Sequence, residues 1–483
     1  LWFENGIAIG LTAKAGCSNN PGEYNRYTVR IASFATKMGD AQDPEILQRA
    51  GNCTQIDRKQ MDRNWDAIVV GGGAAGLWAS GTAAQRGKKV LVLEKNNKAG
   101  VKILMSGGTR CNITHHCDSR KIAEAFGKQG RVLLSVLKRL SPEDVVREFE
   151  TEGVATKVEQ TGKVFPVSDR AIDVRDAVVR RLARFGAQLL CGCAVESVRP
   201  SAGGQGFTVR ATVQDQPVEL TCKSVLITTG GLSYSGCGTT GDGYAWVRDM
   251  GHTITPLKPA LTPLTSPDAR VHELSGLTLE DVLVRADVYQ GSQSKALKLE
   301  RRESRGGLLW THKGFSGPTC MNVSRCFSDC LDGDRLELVI DLLPELTLQG
   351  LEEWIAQETR QSNRAISTVL ASRVPKRLAM SILDSIGAAY DPHLAELPKS
   401  IRSKMIENLK NHRVAISGTL GYPKAEVTAG GVDLGEVNFQ DMQSRLQPGL
   451  FLAGEILDLD GPIGGYNFQA AWSTGHTAGL HLG

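Results

Sequence analysis

The chain has 483 residues, 41% of them hydrophobic and 22% charged, enough for two or three domains and a large core. Its net charge of +4 offers no electrostatic case for nucleic acid or an anionic membrane as the main partner. No apolar run reaches the roughly 20 residues that a membrane-spanning helix needs.

Residues 1–63 carry little apolar periodicity and are rich in Gly, Asn and Ser. Glu23 is the sole acid among four basic residues between Gly6 and Lys37. The segment reads as disordered or as an organelle-targeting stretch, for plastid or mitochondrion. Without such a stretch the expected place is the cytoplasm.

The first folded unit begins at Trp65. Ala67–Val70 is a buried parallel strand, followed by Gly71, Gly73 and Gly76 in Gly-x-Gly-x-x-Gly spacing and a small-residue helix over Ala74–Gln85. Gly71 permits the tight turn, Gly73 lets backbone approach a pyrophosphate, and Gly76 lets helix and strand pack closely. A second strand, Val90–Leu93, ends in Glu94, about 20 residues past the glycines, where a ribose hydroxyl partner is expected. Strand, helix, second strand and acid together predict a dinucleotide site, with Ala74, Ala75 and Lys95 beside it.

Ser106, Gly107, Gly108, Arg110 and Asn112 then form a loop suited to wrapping a polyanion, with Lys102 and Cys111 alongside. Residues 119–150 read as helical, and Ser141-Pro142-Glu143-Asp144 is a strong helix start. Thr161–Pro166 reads as a turn leading to an edge strand, and 168–185 as an amphipathic helix. Strands are expected at 187–190 and 194–198, the latter carrying Val195, and a hairpin at 207–213 and 218–222. Ser224–Thr229 is a further buried strand, ending at Gly230 and Gly231. The Gly236–Gly241 stretch also fits Gly-x-Gly-x-x-Gly, but it reads as a loop over a ligand or over the sheet, since no strand with a terminal acid follows.

Pro256, Pro259, Pro263 and Pro267 mark a domain boundary. Residues 274–288, 294–299 and 336–342 read as antiparallel strands of a small barrel or sandwich, and 346–411 as a helical insert. The last seventy residues return to the first theme. A strand at 449–453 ends in Gly454 and Glu455, and Gly464-Gly465 opens a helix through Tyr466, Asn467 and Phe468.

Eleven scattered cysteines suit a reducing compartment better than a disulfide framework. Cys191, Cys193, Cys326 and Cys330 read as small buried hydrophobes. The side-by-side placement of Cys111, His115, His116 and Cys117 does not match structural zinc spacing, and no metal is expected.

A nicotinamide dehydrogenase has no use for the C-terminal return, whereas FAD is longer than one mononucleotide half of the fold. Glu455 suits the ribityl hydroxyls, and the positive helix end at Gly464-Gly465 suits the flavin edge that becomes negative on reduction.

The chain resembles the BaiN-like (YhiN-type) family of FAD/NAD(P)-dependent oxidoreductases from about residue 64 onward. The stretches that carry the resemblance are Gly71–Gly76, Ser106–Asn112, Val164–Pro166 with Ser168-Asp169, Thr229–Gly231 with Ser233-Tyr234, Thr240–Tyr244, Thr311-His312 through Gly317-Pro318, Ala453–Glu455 and Gly464–Gln469. Thr109 and Ser235 depart from the family pattern, which has glycine and proline there.

The resemblance implies an α/β fold: a Rossmann-like FAD-binding domain split in sequence (64–255 and 426–483), with an inserted β-barrel (256–342 and 412–425) that carries a helical insert (343–411). It also implies hydride transfer from NAD(P)H through FAD to a small organic substrate, with an activated C=C bond as one class. The alternatives are an RNA-modifying or RNA-binding flavoprotein and a non-catalytic flavin redox sensor. Candidate proton donors are Tyr466, His312 and Cys111; packing, a loop hydrogen bond and a buried thiol are their respective structural alternatives.

Overall fold

The computed structural model describes residues 62–483, apart from positions 292, 301, 329, 331, 332 and 362. The reading of 1–63 as a targeting or disordered segment therefore lies, except for 62 and 63, outside the described residues. Among the described residues no helix is long and apolar enough to cross a membrane.

The chain starts with β1 (Asn64–Val70), α1 (Ala74–Gln85), β2 (Val90–Glu94) and the short α2 (Val101–Met105). After a helical stretch come α3 (Ala171–Arg184), β3 (Gln188–Cys191), β4 (Cys193–Pro200), β5 (Phe207–Val213) and β6 (Gln216–Ile227). Near the C-terminus follow β7 (Leu450–Leu452) and α4 (Tyr466–Gly479). Five strands pair in parallel in the order β7-β6-β1-β2-β3. β2 and β7 are wholly buried, as their continuous apolar sequence requires for strands covered on both faces.

β6 merges two runs that read as separate strands in the sequence. Its first half pairs antiparallel with β5, and its second half pairs parallel with β7. One unbroken strand thus changes neighbours along a single edge, while β1 holds the other edge.

A second sheet is antiparallel throughout. Its order is His412–Ile416, Arg335–Asp341, Thr278–Tyr289, Glu303–Thr311, Gly314–Ser316, Leu264–Thr265 and Gly418–Thr419. The two end strands are consecutive in the chain, and Ser417 between them donates its N–H to the Thr265 carbonyl at 2.8 Å. Helices Leu348–Gln361, Ile366–Leu370, Lys376–Ser385 and Lys399–Lys410 lie between Arg335–Asp341 and His412–Ile416 in sequence. Each sheet has its own apolar cluster: Ile68, Leu91 and Leu226 belong to the first, and Val284, Leu308 and Leu338 to the second.

Two strand expectations need correction. Residues 294–299 form no strand. The edge of Thr278–Tyr289 that they would need is taken by Glu303–Thr311, which leaves Leu297 a single backbone bond to Val288. Lys163–Pro166 is central in a three-stranded sheet, not an edge: Thr114–His115 flanks it on one side and Thr156–Val158 on the other. The partner that covers its outer side comes from some fifty residues earlier, and no local pattern announces it.

Candidate functional site

The three glycines of the first turn do three different things. Gly71 has φ +109, and a Cβ there would lie 2.5 Å from the Thr228 carbonyl oxygen. A Cβ on Gly76 would lie 2.0 Å from the Gly71 carbonyl oxygen and 2.5 Å from Thr228 Oγ1, so close packing of helix on strand requires its absence. Gly73 has no atom within 4 Å of such a Cβ. It lines a cavity and caps α1 without a side chain, so the first-turn N–H groups are left for a ligand.

The strand register places the rest of the wall. Val70 pairs with Ile227, and Ile227 with Leu452. The parallel strands therefore end at one level, and the loops after them open on one edge of the sheet, where ligands bind in open α/β folds. Gly71 follows β1, Glu94 ends β2, Thr228–Gly230 follows β6, and Gly454-Glu455 follows β7. All of these residues line one cavity of ≈ 440 Å³. Gly464, Gly465 and Asn467, at the start of α4, line the same cavity. Gly465 has φ +91, and a Cβ on it would lie 2.5 Å from the Thr114 carbonyl.

Glu94 is buried. It accepts from the Gly72 N–H at 2.7 Å, and from the Asn96 N–H and Nδ2 at 2.8 and 2.7 Å. Burial raises its carboxyl above the usual range, against these donors. Glu455 is held by Lys102 Nζ, by Ser233 Oγ at 2.6 Å and by the Thr428 N–H at 3.0 Å. Lys102 also donates to Ser233 Oγ at 2.8 Å, which ties α2 to the loops after β6 and β7.

Of the residues expected at the cofactor, Gly71, Gly73, Ala74, Ala75, Glu94, Lys95, Lys102, Ser106, Gly107, Gly108, Asn112, Val195, Thr229, Gly230, Gly454, Glu455, Gly464, Gly465 and Asn467 line the cavity. Five do not. Gly76 packs helix on strand, and Gly231 packs behind the wall, where a Cβ would lie 2.3 Å from Thr428 Oγ1. Arg110 pairs with Glu159 at 2.5 Å and Asp169 at 2.7 Å, over the ring of Phe165. Its Nε and Nη2 are taken by these carboxylates. Cys111 is fully buried, and burial pushes its thiol up to about 12, so it stays protonated and closed off. Tyr466 stacks on His115 with ring centroids 4.8 Å apart.

His312 is exposed in the turn between Glu303–Thr311 and Gly314–Ser316, off the cavity wall. His115 Nδ1 lies 3.0 Å from the Gly464 carbonyl oxygen. Cys193 is a free thiol and buried, Cys326 is buried and Cys330 half-buried. Cys191 is half-buried and disulfide-bonded, so it is not one more buried thiol.

Lys163, Phe165, Tyr234, Glu426 and Phe468, which were not among the expected site residues, also line the cavity. Tyr234 had a local signal, since it follows the glycine pair after a buried strand. Lys163 opens a strand of the three-stranded sheet and Glu426 precedes the strand Val427–Ala429, and neither had one.

An anionic, polar and elongated molecule fits this wall. It offers the uncapped N-termini of α1 and α4, a buried carboxylate placed for a ribose, and two buried oxygens without a protein partner among the described residues, Asn112 Oδ1 and Thr229 Oγ1. Two glycine-led helix starts on one cleft, with an acid at the end of the second strand, define an FAD-dependent oxidoreductase on a Rossmann-type fold.

The chain belongs to the family described as "HI0933-like protein Rossmann domain", whose model matches residues 65–481. It is 33% identical to a protein of Escherichia coli (strain K12) named ribosomal RNA dihydrouridine synthase, over 85% of this chain and 96% of that one. A Haemophilus influenzae protein of the same name is 30% identical over 87% and 99%. A Clostridium scindens protein named 3-dehydro-bile acid delta(4,6)-reductase is 31% identical over 85% and 97%.

Proposed function

We propose that this flavoenzyme reduces a carbon–carbon double bond conjugated to a carbonyl, taking electrons from NAD(P)H, and that the bond is the one in the uracil ring of RNA. The observation that carries the reading is the convergence of Gly73 and Gly465 on one cleft. It supports seating the diphosphate at α1 and the isoalloxazine ring at α4. The relatives from E. coli and H. influenzae, with their printed names, support the uracil substrate. The C. scindens relative supports a second reading, a small enone, and both readings share the chemistry of the bond.

FAD, when bound, supplies a two-electron carrier that accepts hydride from the donor and passes it on. The protein residues do the rest. Gly73, Ala74 and Ala75 present N–H groups to the diphosphate, while the Gly71 N–H is spent on the Leu93 carbonyl. Glu94 takes ribose hydroxyls, and Glu455, steadied by Lys102, takes ribityl hydroxyls. The start of α4 favours negative charge at the ring edge. The seven-stranded sheet, with its end strands consecutive in the chain, is read as an inserted barrel at 256–342 and 412–425, carrying the helices of 343–411. A base in RNA reaches such a cleft only by leaving its stack.

The test is purification with a visible spectrum, followed by anaerobic titration with NADH and NADPH. The reduced protein is then offered ribosomal RNA or a small enone, and nucleosides are analysed by mass. Dihydrouridine formed only with active protein supports the first reading. A yellow protein that neither nicotinamide bleaches sinks NAD(P)H as the donor.

A further inference from the structure

Three polar side chains on the cavity wall have no task in the cofactor site: Lys163, Tyr234 and Glu426. No hydrogen bond or ion pair is formed by the ammonium, phenol or carboxyl of these residues among the described residues. Three separate elements bring them together. Lys163 sits opposite His115 in register, one residue beyond Thr114, which packs on Gly465. That places Lys163 at the α4 end of the cavity. Tyr234 is held at φ +54, in the left-handed region that non-glycine residues seldom occupy, and its N–H donates to the Tyr422 carbonyl at 3.1 Å. Glu426 leads into Val427–Ala429, and its N–H donates to the Leu261 carbonyl at 3.0 Å.

Glu426 is the group that both of the others face electrostatically. Glu426 is exposed, and its exposure is to the cavity. The protein around it raises its carboxyl, while Lys102 and Lys163 oppose the rise. Burial raises the Tyr234 phenol, and Glu426 adds to the rise. A carboxyl whose hold on its proton is strengthened, on one cavity wall with a cation and a phenol, is a matched set for a conjugated carbonyl.

We propose that Glu426 is the acid of the reduction, and that Lys163 and Tyr234 grip the carbonyl oxygen conjugated to the double bond. This rests on the reductase reading given above. Reduced flavin, when bound, would supply a hydride to the carbon remote from the carbonyl. The π electrons shift toward the carbonyl oxygen, where Lys163 and Tyr234 meet the growing negative charge. The Glu426 carboxyl gives its proton to the carbon beside the carbonyl, and its carboxylate is reprotonated by water. The substrate gains one hydride and one proton, and the flavin ends oxidised. The substrate class is planar, with its carbonyl in conjugation, as in uracil.

The experiment uses holoenzyme and Glu426→Gln, a near-isosteric change. Infrared difference spectra across pH 4 to 9 look for a protonated carboxylic acid that titrates above the ordinary glutamate range. Its presence in the parent protein and loss in E426Q support the proposal; its absence from the parent overturns it. Anaerobic stopped-flow separates the two half-reactions, with uridine 5′-monophosphate and cyclohex-2-enone as oxidising probes. E426Q still bleaches with the nicotinamide that reduces the parent, but is reoxidised on the order of 10²–10⁴-fold more slowly. K163M and Y234F weaken probe binding to oxidised holoenzyme. Reoxidation of E426Q at the parental rate overturns Glu426 alone. A parent that neither probe reoxidises removes the reductase reading, and the proton step with it.

Discussion

Gly475 on α4 lies so close to Ala75 on α1 that a Cβ at position 475 would sit 2.4 Å from the Ala75 carbonyl oxygen. One turn further, Gly479 meets Ala79 in the same way, at 2.5 Å. Two helices 400 residues apart in the chain therefore touch backbone to backbone, and this contact sets the start of α4 beside the start of α1. Gly475→Leu is expected to force them apart. Overpacking of this kind costs about 1–3 kcal/mol, so the variant should melt earlier and elute without bound FAD. A yellow G475L with unchanged melting would show that the helix contact does not shape the site.

Gly73 and Gly76 lie in one motif but should fail in different ways. Gly73→Val places its Cβ in open space in the cleft, so the protein should unfold at the temperature of the parent apoprotein but lose its flavin absorbance. Gly76→Ala drives a methyl into the Gly71 carbonyl, so stability should fall along with cofactor binding. Paired thermal melts and visible spectra distinguish the two outcomes.

Phe149 joins Trp78 and Trp472 in a cluster with ring centroids 5.2 to 5.6 Å apart. Phe149 and both tryptophans are buried. Phe149→Ala should cost about 3–5 kcal/mol, read as a lower urea midpoint at unchanged slope. A loss under 1 kcal/mol would mean that the cluster closes over the gap.

His476, which faces Thr82 across the helix pair at 3.3 Å, titrates low. Burial, and then the charge of Arg181, push its imidazole down to about 4. The unfolded chain binds that proton near 6.5, so protonation favours unfolding. This contribution to stability is complete above 6.5 and is lost as pH falls from there toward 4. His476→Gln should flatten the fall in melting temperature across that window. An identical acid profile in H476Q would assign the loss to other groups.

Arg110→Ala breaks the pairs with Glu159 and Asp169, which are partly exposed, so a stability loss of about 1 kcal/mol or less is expected. FAD affinity, measured by titrating apoprotein, should change little. A tenfold loss of affinity at constant melting temperature would return this guanidinium to the phosphate.

Local chemistry made much of the cofactor wall legible. The Gly71–Gly76 turn, Glu94 and the Gly464-Gly465 helix start each carry their reason within one strand–helix–strand unit or less, because turns, caps and strand ends obey short-range sterics. The failures are equally instructive. Arg110 read as a phosphate ligand because its carboxylate partners, Glu159 and Asp169, lie 49 and 59 residues away. His312 stood among the candidate proton donors that came with the family resemblance, yet its loop is a hairpin turn off the cavity wall.

The sequence by itself determined where the chain turns tightly, which strands are buried on both faces and where helix N-termini stand uncapped, since each follows from the residues on either side. Only the tertiary structure decided that the strand ends stand level, that α4 lies against α1, and that Lys163, Tyr234 and Glu426 face one cavity. Those relations come from pairing and packing between segments tens to hundreds of residues apart, and periodicity along the chain carries no information about them.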